Sequence, residues 1–215
     1  MAKNTNTFKY LGSIVTEKGR NSRDISERIK RFIASVGTLW PIIEEKQVPL
    51  EVERIILNTV LTPTLTYGSE RLVMKSADRS RTQEAEMRQP RAMVGKTRRD
   101  RIRTEDIRKS VGVCSVLNKI DAGQLRWLGH LERMEEERVV RGCWEWMPGG
   151  RRPRGRPRKR WKETIEQTPS RHDLPNIRRL REEGILQDRT EWRKISAGST
   201  DRRLKLTLGA EVRSK

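Results

Sequence analysis

Apolar residues recur every three or four positions through most of this chain, the spacing of helices that bury one face. Ile25, Ile29, Phe32, Ile33, Val36, Leu39 and Trp40 form the first such stripe, opposite a basic face of Arg28, Lys30 and Arg31. Ser22 is placed to cap that helix. Asp24 falls in its first turn, where a carboxylate meets unpaired backbone N–H groups. Pro41 is expected to end or bend it. A second stripe, Val52, Ile55, Ile56, Leu57, Val60, Leu61 and Leu65, is the broadest and predicts the best-buried core. It meets Pro63 near its end and gives way at Tyr67-Gly68. Residues 76 to 94 predict a weaker, polar helix spoiled by Pro90. Thr104, Glu105 and Asp106 begin a short helix that Gly112 stops. Val116, Ile120, Leu125, Trp127, Leu128, Leu131 and Met134 then line a longer one, which ends at the acidic run Glu135 to Glu137. Trp161 and Ile165 allow a short helix, and Ile177, Leu180, Ile185, Leu186 and Trp192 suggest one or two more. The tail from Gly198 to Lys215 has no period.

One segment breaks the helical pattern. Phe8, Tyr10, Ile14 and Val15 favour a strand over Thr7 to Thr16, with Gly12 as a bulge or close approach and Lys18-Gly19 as the closing turn. The expected fold class is therefore mainly α, after a short N-terminal β-strand or hairpin.

Charge changes the picture more than composition does. The 215 residues carry 48 Lys and Arg against 29 Asp and Glu, a net charge of +19, while only 33% of them are hydrophobic. Such an excess must face solvent or a polyanion, and a nucleic acid is the simplest partner. Two cysteines exclude a disulfide framework, and no apolar run approaches a membrane span. No secretory signal marks the first twenty residues, so a reduced intracellular setting is expected.

The charge is concentrated. Pro148 to Lys162 holds eight basic residues and no acid. Its centre, Arg152-Pro153-Arg154-Gly155-Arg156-Pro157-Arg158-Lys159-Arg160, alternates cations with prolines and one glycine. Proline fixes φ and extends the residue before it, and glycine lets the backbone lie close to a surface. A narrow cationic ribbon of this kind fits the A·T minor groove, whose negative potential is enhanced. The Gly155-Arg156-Pro157 core resembles an AT-hook. That resemblance implies that Arg154 and Arg156 enter the groove while Arg152, Arg158, Lys159 and Arg160 meet phosphates. Sequence-independent contact with RNA or DNA phosphates, a solvated linker, or a nuclear-import signal are the other readings of the same residues.

Several separated segments then point one way. Phe8-Lys9-Tyr10-Leu11-Gly12-Ser13-Ile14, the helix ending at Tyr67-Gly68, Leu125-Arg126-Trp127-Leu128-Gly129-His130-Leu131-Glu132-Arg133-Met134, the run from Gly155 to Trp161, and Asp188-Arg189 with Trp192-Arg193 occur in this order. Together they resemble the carboxy-terminal part of the reverse transcriptase of non-LTR (LINE-type) retrotransposons, over residues 7 to 195. The resemblance implies a palm-end strand remnant at 1–20, a thumb-like helical region at 21–95 and a post-polymerase helical region at 96–147. A basic AT-hook-like linker at 148–162 and short helices with a loose tail at 163–215 complete the division. The family's polymerase centre uses a Tyr-Ala-Asp-Asp motif and a further aspartate to hold two divalent metals. This chain has no adjacent aspartate pair, and Tyr10 and Tyr67 are followed by Leu11 and Gly68. It also departs from the family at Ser69-Glu70-Arg71-Leu72 and at Met87 to Val94. In the latter stretch Pro90 would cost about 3 kcal/mol in a helix interior. No catalytic residue and no cofactor are expected. The expected partners are DNA, RNA or both, with a separate reverse transcriptase chain as a further one. A chromatin-associated AT-hook protein is an alternative, and the expected location is the nucleus, with the cytoplasm as a second.

Other residues take two readings each. Arg98, Arg99 and Arg101, with Lys96 and Arg103, form a second candidate phosphate surface, or ordinary solvated charge. Trp127, Gly129, His130 and Trp161 belong to the resemblance. Trp127 is expected in the core or partly buried, His130 to pack or cap or else to contact a phosphate, and Trp161 either to pack or to stack on unpaired bases. Cys114, His130, Cys143 and His172 lack the short paired spacing of zinc sites, so no metal is expected. The helices around Gly112 can imitate a helix-turn-helix, but no period singles out a recognition helix.

Overall fold

The computed structural model describes residues 6–17, 19–45, 47–146, 149, 155 and 158–197. It is mainly α-helical, with one short hairpin at the N-terminal end. Strands β1 (Thr7–Tyr10) and β2 (Ser13–Thr16) pair antiparallel, with Phe8 opposite Val15 and Tyr10 opposite Ser13. Leu11 and Gly12 make the two-residue turn, both at positive φ (45° and 79°), as a tight hairpin of this hand requires. Gly12 is thus a turn residue and not a bulge within one strand.

A lone hairpin is marginal in water and needs something to pack on. Here α1 (Ser22–Glu45) supplies it. Asp24 Oδ1 accepts from the Ile14 N–H at 2.8 Å, and Asp24 Oδ2 accepts from Arg28 Nε at 2.7 Å. Arg28 also reaches Ser13 Oγ and the Tyr67 carbonyl, so one buried guanidinium ties hairpin, helix and the following turn together. Helix α1 runs through Pro41 instead of ending there. The residue four before the proline is Gly37, and Ile43 beyond it is buried, so packing holds the last turn in place.

Helices α2 (Leu50–Ile56) and α3 (Thr62–Thr66) are joined without a break by a π-turn at Leu57–Leu61. Pro63 lacks the N–H that would continue the ordinary ladder, and the widened turn just before it absorbs the defect: Thr62 Oγ1 donates to the Leu57 carbonyl at 2.7 Å. Leu57, Leu61 and Leu65 are buried, but Val52, Ile55 and Val60 are exposed. The broadest stripe in the sequence is therefore only half used as core, because the packing partners α1 and α7 lie on its leucine side. The chain then leaves α3 at Tyr67-Gly68 and makes a 3-10 turn at Ser69–Arg71. Helices α4 (Ser76–Glu86) and α5 (Arg88–Met93) replace the single polar helix expected over 76–94. The break at Met87 puts Pro90 in the first turn of α5, where helix N–H groups lack partners anyway. Its mid-helix cost is thereby avoided.

Helix α6 (Thr104–Val111) stops at Gly112, which takes φ 74°. Helix α7 (Val116–Glu132), capped by Ser115 Oγ on the Leu117 N–H, is the spine of the molecule. Its first half sends Val116, Leu117 and Ile120 into a cluster with Ile25, Ile29, Phe32, Leu57, Leu61 and Leu65. Its second half sends Leu125, Leu128 and Leu131 into another, with Trp144, Ile165, Ile177, Leu180, Leu186 and Trp192. That second cluster is closed by α8 (Val139–Glu145), α9 (Trp161–Glu166), α10 (Thr168–Arg171), α11 (Ile177–Glu182) and a last helix, α12, at 189–197. Among the described residues no helix is long and apolar enough to cross a membrane.

Candidate nucleic-acid interface

The basic block is attached to this scaffold at both ends by tryptophans. Trp144, at the end of α8, is buried and donates to Glu132 Oε1 at 3.1 Å. Trp161 opens α9 and donates to the Glu70 carbonyl at 2.7 Å, and the two rings meet edge to face with centroids 5.3 Å apart. The chain that carries the block thus leaves and re-enters the fold at one place. Trp161 is half-buried, with its N–H engaged and its ring packed edge to face with Trp144.

Of the block itself, Gly155, Arg158, Lys159 and Arg160 are described. Arg152, Arg154, Arg156 and Pro157, which carry the groove-binding expectation, lie outside the described residues. Gly155 is exposed at φ 107°. Arg158 is exposed, while Lys159 and Arg160 are half-buried. Lys159 Nζ donates to Gln167 Oε1 at 2.8 Å. Burial, with the positive charges of Arg171 and Arg79, lowers its pKa from the ordinary lysine value. The Arg160 N–H donates to Glu163 Oε2 at 3.1 Å and helps start α9.

The second basic stretch is an exposed loop between α5 and α6. Arg91 braces it by donating to the carbonyls of Thr97 and Ile102. Asp100 accepts from the Thr97 N–H at 2.6 Å and from its hydroxyl at 2.9 Å, contacts that lower the Asp100 pKa. Arg98 pairs with Glu84, while Arg99 and Arg101 are exposed and Arg101 sits at φ 52°. Further along, Trp127 is half-buried against the second cluster and its ring lies 5.2 Å from that of exposed His130. Gly129 faces Trp192, whose indole N–H donates to the Leu125 carbonyl at 2.9 Å. The run from Leu125 to Met134 and the distant Trp192 are thereby parts of one packing unit.

The charged groups that organise this region are acids that periodicity alone did not single out. Asp121, on α7, is nearly inaccessible. It receives both Nη atoms of Arg79 at 2.7 and 2.8 Å, Arg171 Nη1 at 3.0 Å, and lies 3.1 Å from His172 Nε2. Burial pushes its pKa upward, but the hydrogen bonds from His172 and Arg79 and the charges of Arg79 and Arg171 prevail and hold it down at about 2. Glu132, about three turns further along α7, receives Arg181 Nη2 at 2.6 Å and the Trp144 N–H, which outweigh burial and lower its pKa. Glu86 pairs with Arg108 at 2.6 Å, yet its burial is deep enough to raise its pKa. The sequence did hold a sign of these hubs: Asp121 and Glu132 interrupt the apolar stripe of α7 beside Ile120 and Leu131. Their partners Arg79, Arg171 and Arg181 lie about 40 to 50 residues away, so no local spacing revealed those pairs. Among the described residues, no group of three or more His, Cys, Asp or Glu side chains is placed to hold a metal ion.

No family model matches this chain, and no solved structure matches it. It is similar to a protein of Caenorhabditis elegans described as an uncharacterized transposon-derived protein. The two are 29% identical over 202 residues, which span 90% of this chain and 71% of that relative. A likeness of that extent makes the chain a distant, partial homologue of a transposon-derived protein, and its origin that of a transposable element.

Proposed function

We propose that this chain is a nucleic-acid-binding module, a non-catalytic carboxy-terminal fragment of a retrotransposon reverse transcriptase. The observation that carries this reading is the eight-cation, acid-free stretch from Pro148 to Lys162, attached to a helical scaffold through Trp144 and Trp161. Several of the chain's acids are engaged internally, at Asp24, Glu86, Asp121 and Glu132, so they do little to neutralise that stretch. The transposon-derived relative supports the origin. Nuclear accumulation is the location this reading implies.

The test is a titration of full-length protein with A·T-rich duplex, G·C-rich duplex and structured RNA at two salt concentrations. Neutralising Arg152, Arg154, Arg156, Arg158, Lys159 and Arg160 together is expected to weaken binding at least about a hundredfold and to flatten its salt dependence, since each phosphate contact adds nearly one unit of slope. Arg156→Ala alone should narrow the gap between A·T-rich and G·C-rich duplexes, whereas Arg160→Ala should weaken both alike. An RNA function would instead show structured RNA competing best. Equal affinity for every competitor, unchanged in the neutralised protein, would reduce the block to a linker.

A second reading, a thumb-and-tail module serving a polymerase on another or a longer chain, is favoured by one feature. Phe8, Tyr10, Leu11 and Val15 expose the outer face of the hairpin, where an apolar surface normally finds a cover. Under either reading the chain alone is expected not to extend a primed template in the presence of magnesium. Extension that chelation abolishes, in protein free of other polymerases, would overturn both.

A further inference from the structure

At the base of the basic block the fold leaves a cavity of about 350 Å³, lined by Glu132, Arg141, Trp144, Glu145, Lys162, Arg181 and Gln187. Its walls come from the end of α7, from α8, from the first turn of α9 and from α11, so the chain bearing the block starts and returns at its rim. Three cations converge on it. Arg181 donates to Glu132 at 2.6 Å and is half exposed, so one side of its guanidinium is already oriented and the rest faces outward. Arg141 donates to the Leu131 carbonyl at 2.7 Å and lies 3.6 Å from Glu132. Lys162 Nζ stands 5.2 Å over the Trp144 ring and is paired with no carboxylate among the described residues.

The chemistry of this lining selects its occupant. Glu132 is saturated by Arg181, Arg141 and the Trp144 N–H, and Glu145 sits on the exposed rim against Arg141. The five lining charges sum to one positive, and the least engaged of them is Lys162. An incoming base would have to displace Lys162 from the face of Trp144, whereas a phosphate would be drawn to that ammonium and to the outer edge of Arg181. A cavity of this size admits one phosphate with its sugar. We propose that the cavity is a phosphate site and that, on the nucleic-acid reading above, it takes a backbone phosphate of the strand held by the basic block.

Lys162→Met keeps the side chain's stem over Trp144 and removes its charge. In full-length protein this change is expected to lower affinity for a single-stranded RNA oligonucleotide several-fold, and to reduce the slope of log affinity against log salt by about 0.7, the loss of one phosphate contact on a single strand. Lys162→Arg should restore both, and the unfolding midpoints of all three proteins should agree. Unchanged affinity and slope in Lys162→Met, with wild type binding normally, would overturn the site while leaving the proposed function intact. A parallel titration with adenosine 5′-monophosphate separates the sources of phosphate. If wild type ignores the oligonucleotide yet binds the mononucleotide through Lys162, the cavity stands as a phosphate site and the nucleic-acid reading falls. Failure to bind either overturns both.

Discussion

Replacing Asp121 by asparagine is expected to destabilise the protein by about 3 kcal/mol, as breaking a buried ion pair generally does. The substitution keeps the shape and removes the charge. Arg79 and Arg171 would then be left facing each other beside Lys159, with the counter-charge gone from the centre of α7. Both guanidiniums keep some access to water, which places the estimate at the lower end of such losses. The same carboxylate sets an acid limit on the fold. Its folded pKa of about 2 lies below the ordinary value of 3.8, so its contribution is complete above about pH 4 and is lost as pH falls toward 2. That difference corresponds to roughly 2 kcal/mol by linkage. Denaturant titrations of wild type and Asp121→Asn at neutral pH and at pH 3 check both statements. The gap between the two proteins should shrink at the lower pH. A variant with the wild-type midpoint would show that the hub contributes nothing.

The hub also marks where sequence reasoning stops. Helix α7 was legible in its period, because Val116, Ile120, Leu125, Leu128 and Leu131 repeat with it, but it stops at Glu132, short of Met134 and the acidic run expected to end it. Its division of labour was not legible. Which half joins which cluster depends on Gln124 donating to the Leu72 carbonyl, on Asp121 gathering Arg79 and Arg171, and on Glu132 gathering Arg141 and Arg181. Most of these contacts span tens of residues, and none leaves a periodic trace. The helix around Pro41 and the turn around Pro63 show the converse: local rules correctly marked both as defects, and packing at Ile43 and a π-turn decided how each was absorbed. Surface use of the broad α2–α3 stripe was equally hidden, since hydrophobicity tells which residues can be core but not which side finds a partner. The basic block was the plainest candidate site in the sequence, and its attachment by Trp144 and Trp161 became visible only in three dimensions. The cavity beneath it had no sequence signature, being assembled from α7, α8, α9 and α11.

Two glycines of α7 are expected to respond to alanine with opposite signs. At Gly123 an added methyl meets nothing within 4 Å, so Gly123→Ala should stabilise the helix by about 0.5–1 kcal/mol through its higher helix propensity. Gly129 carries the same intrinsic gain, but its Cβ would fall inside the van der Waals envelope of Trp192 Cδ1 and Nε1, with Arg133 Nη1 at 3.1 Å. The indole has no room to retreat: it is 1% exposed and its N–H is held by the Leu125 carbonyl one turn earlier on the same helix. Moving it strains the cluster by about 1–3 kcal/mol and weakens a buried hydrogen bond by about 1–3 kcal/mol, against about 1 kcal/mol gained in the helix. Gly129→Ala should therefore destabilise by about 3 kcal/mol, measured by thermal or denaturant unfolding. Removing the indole tests the cause. Trp192→Ala is costly alone, at about 3–5 kcal/mol. In that background the methyl at position 129 has space, so adding Gly129→Ala should cost nothing further and can recover the helix gain. Additive losses in the double variant would mean that glycine at 129 serves something other than the approach of Trp192.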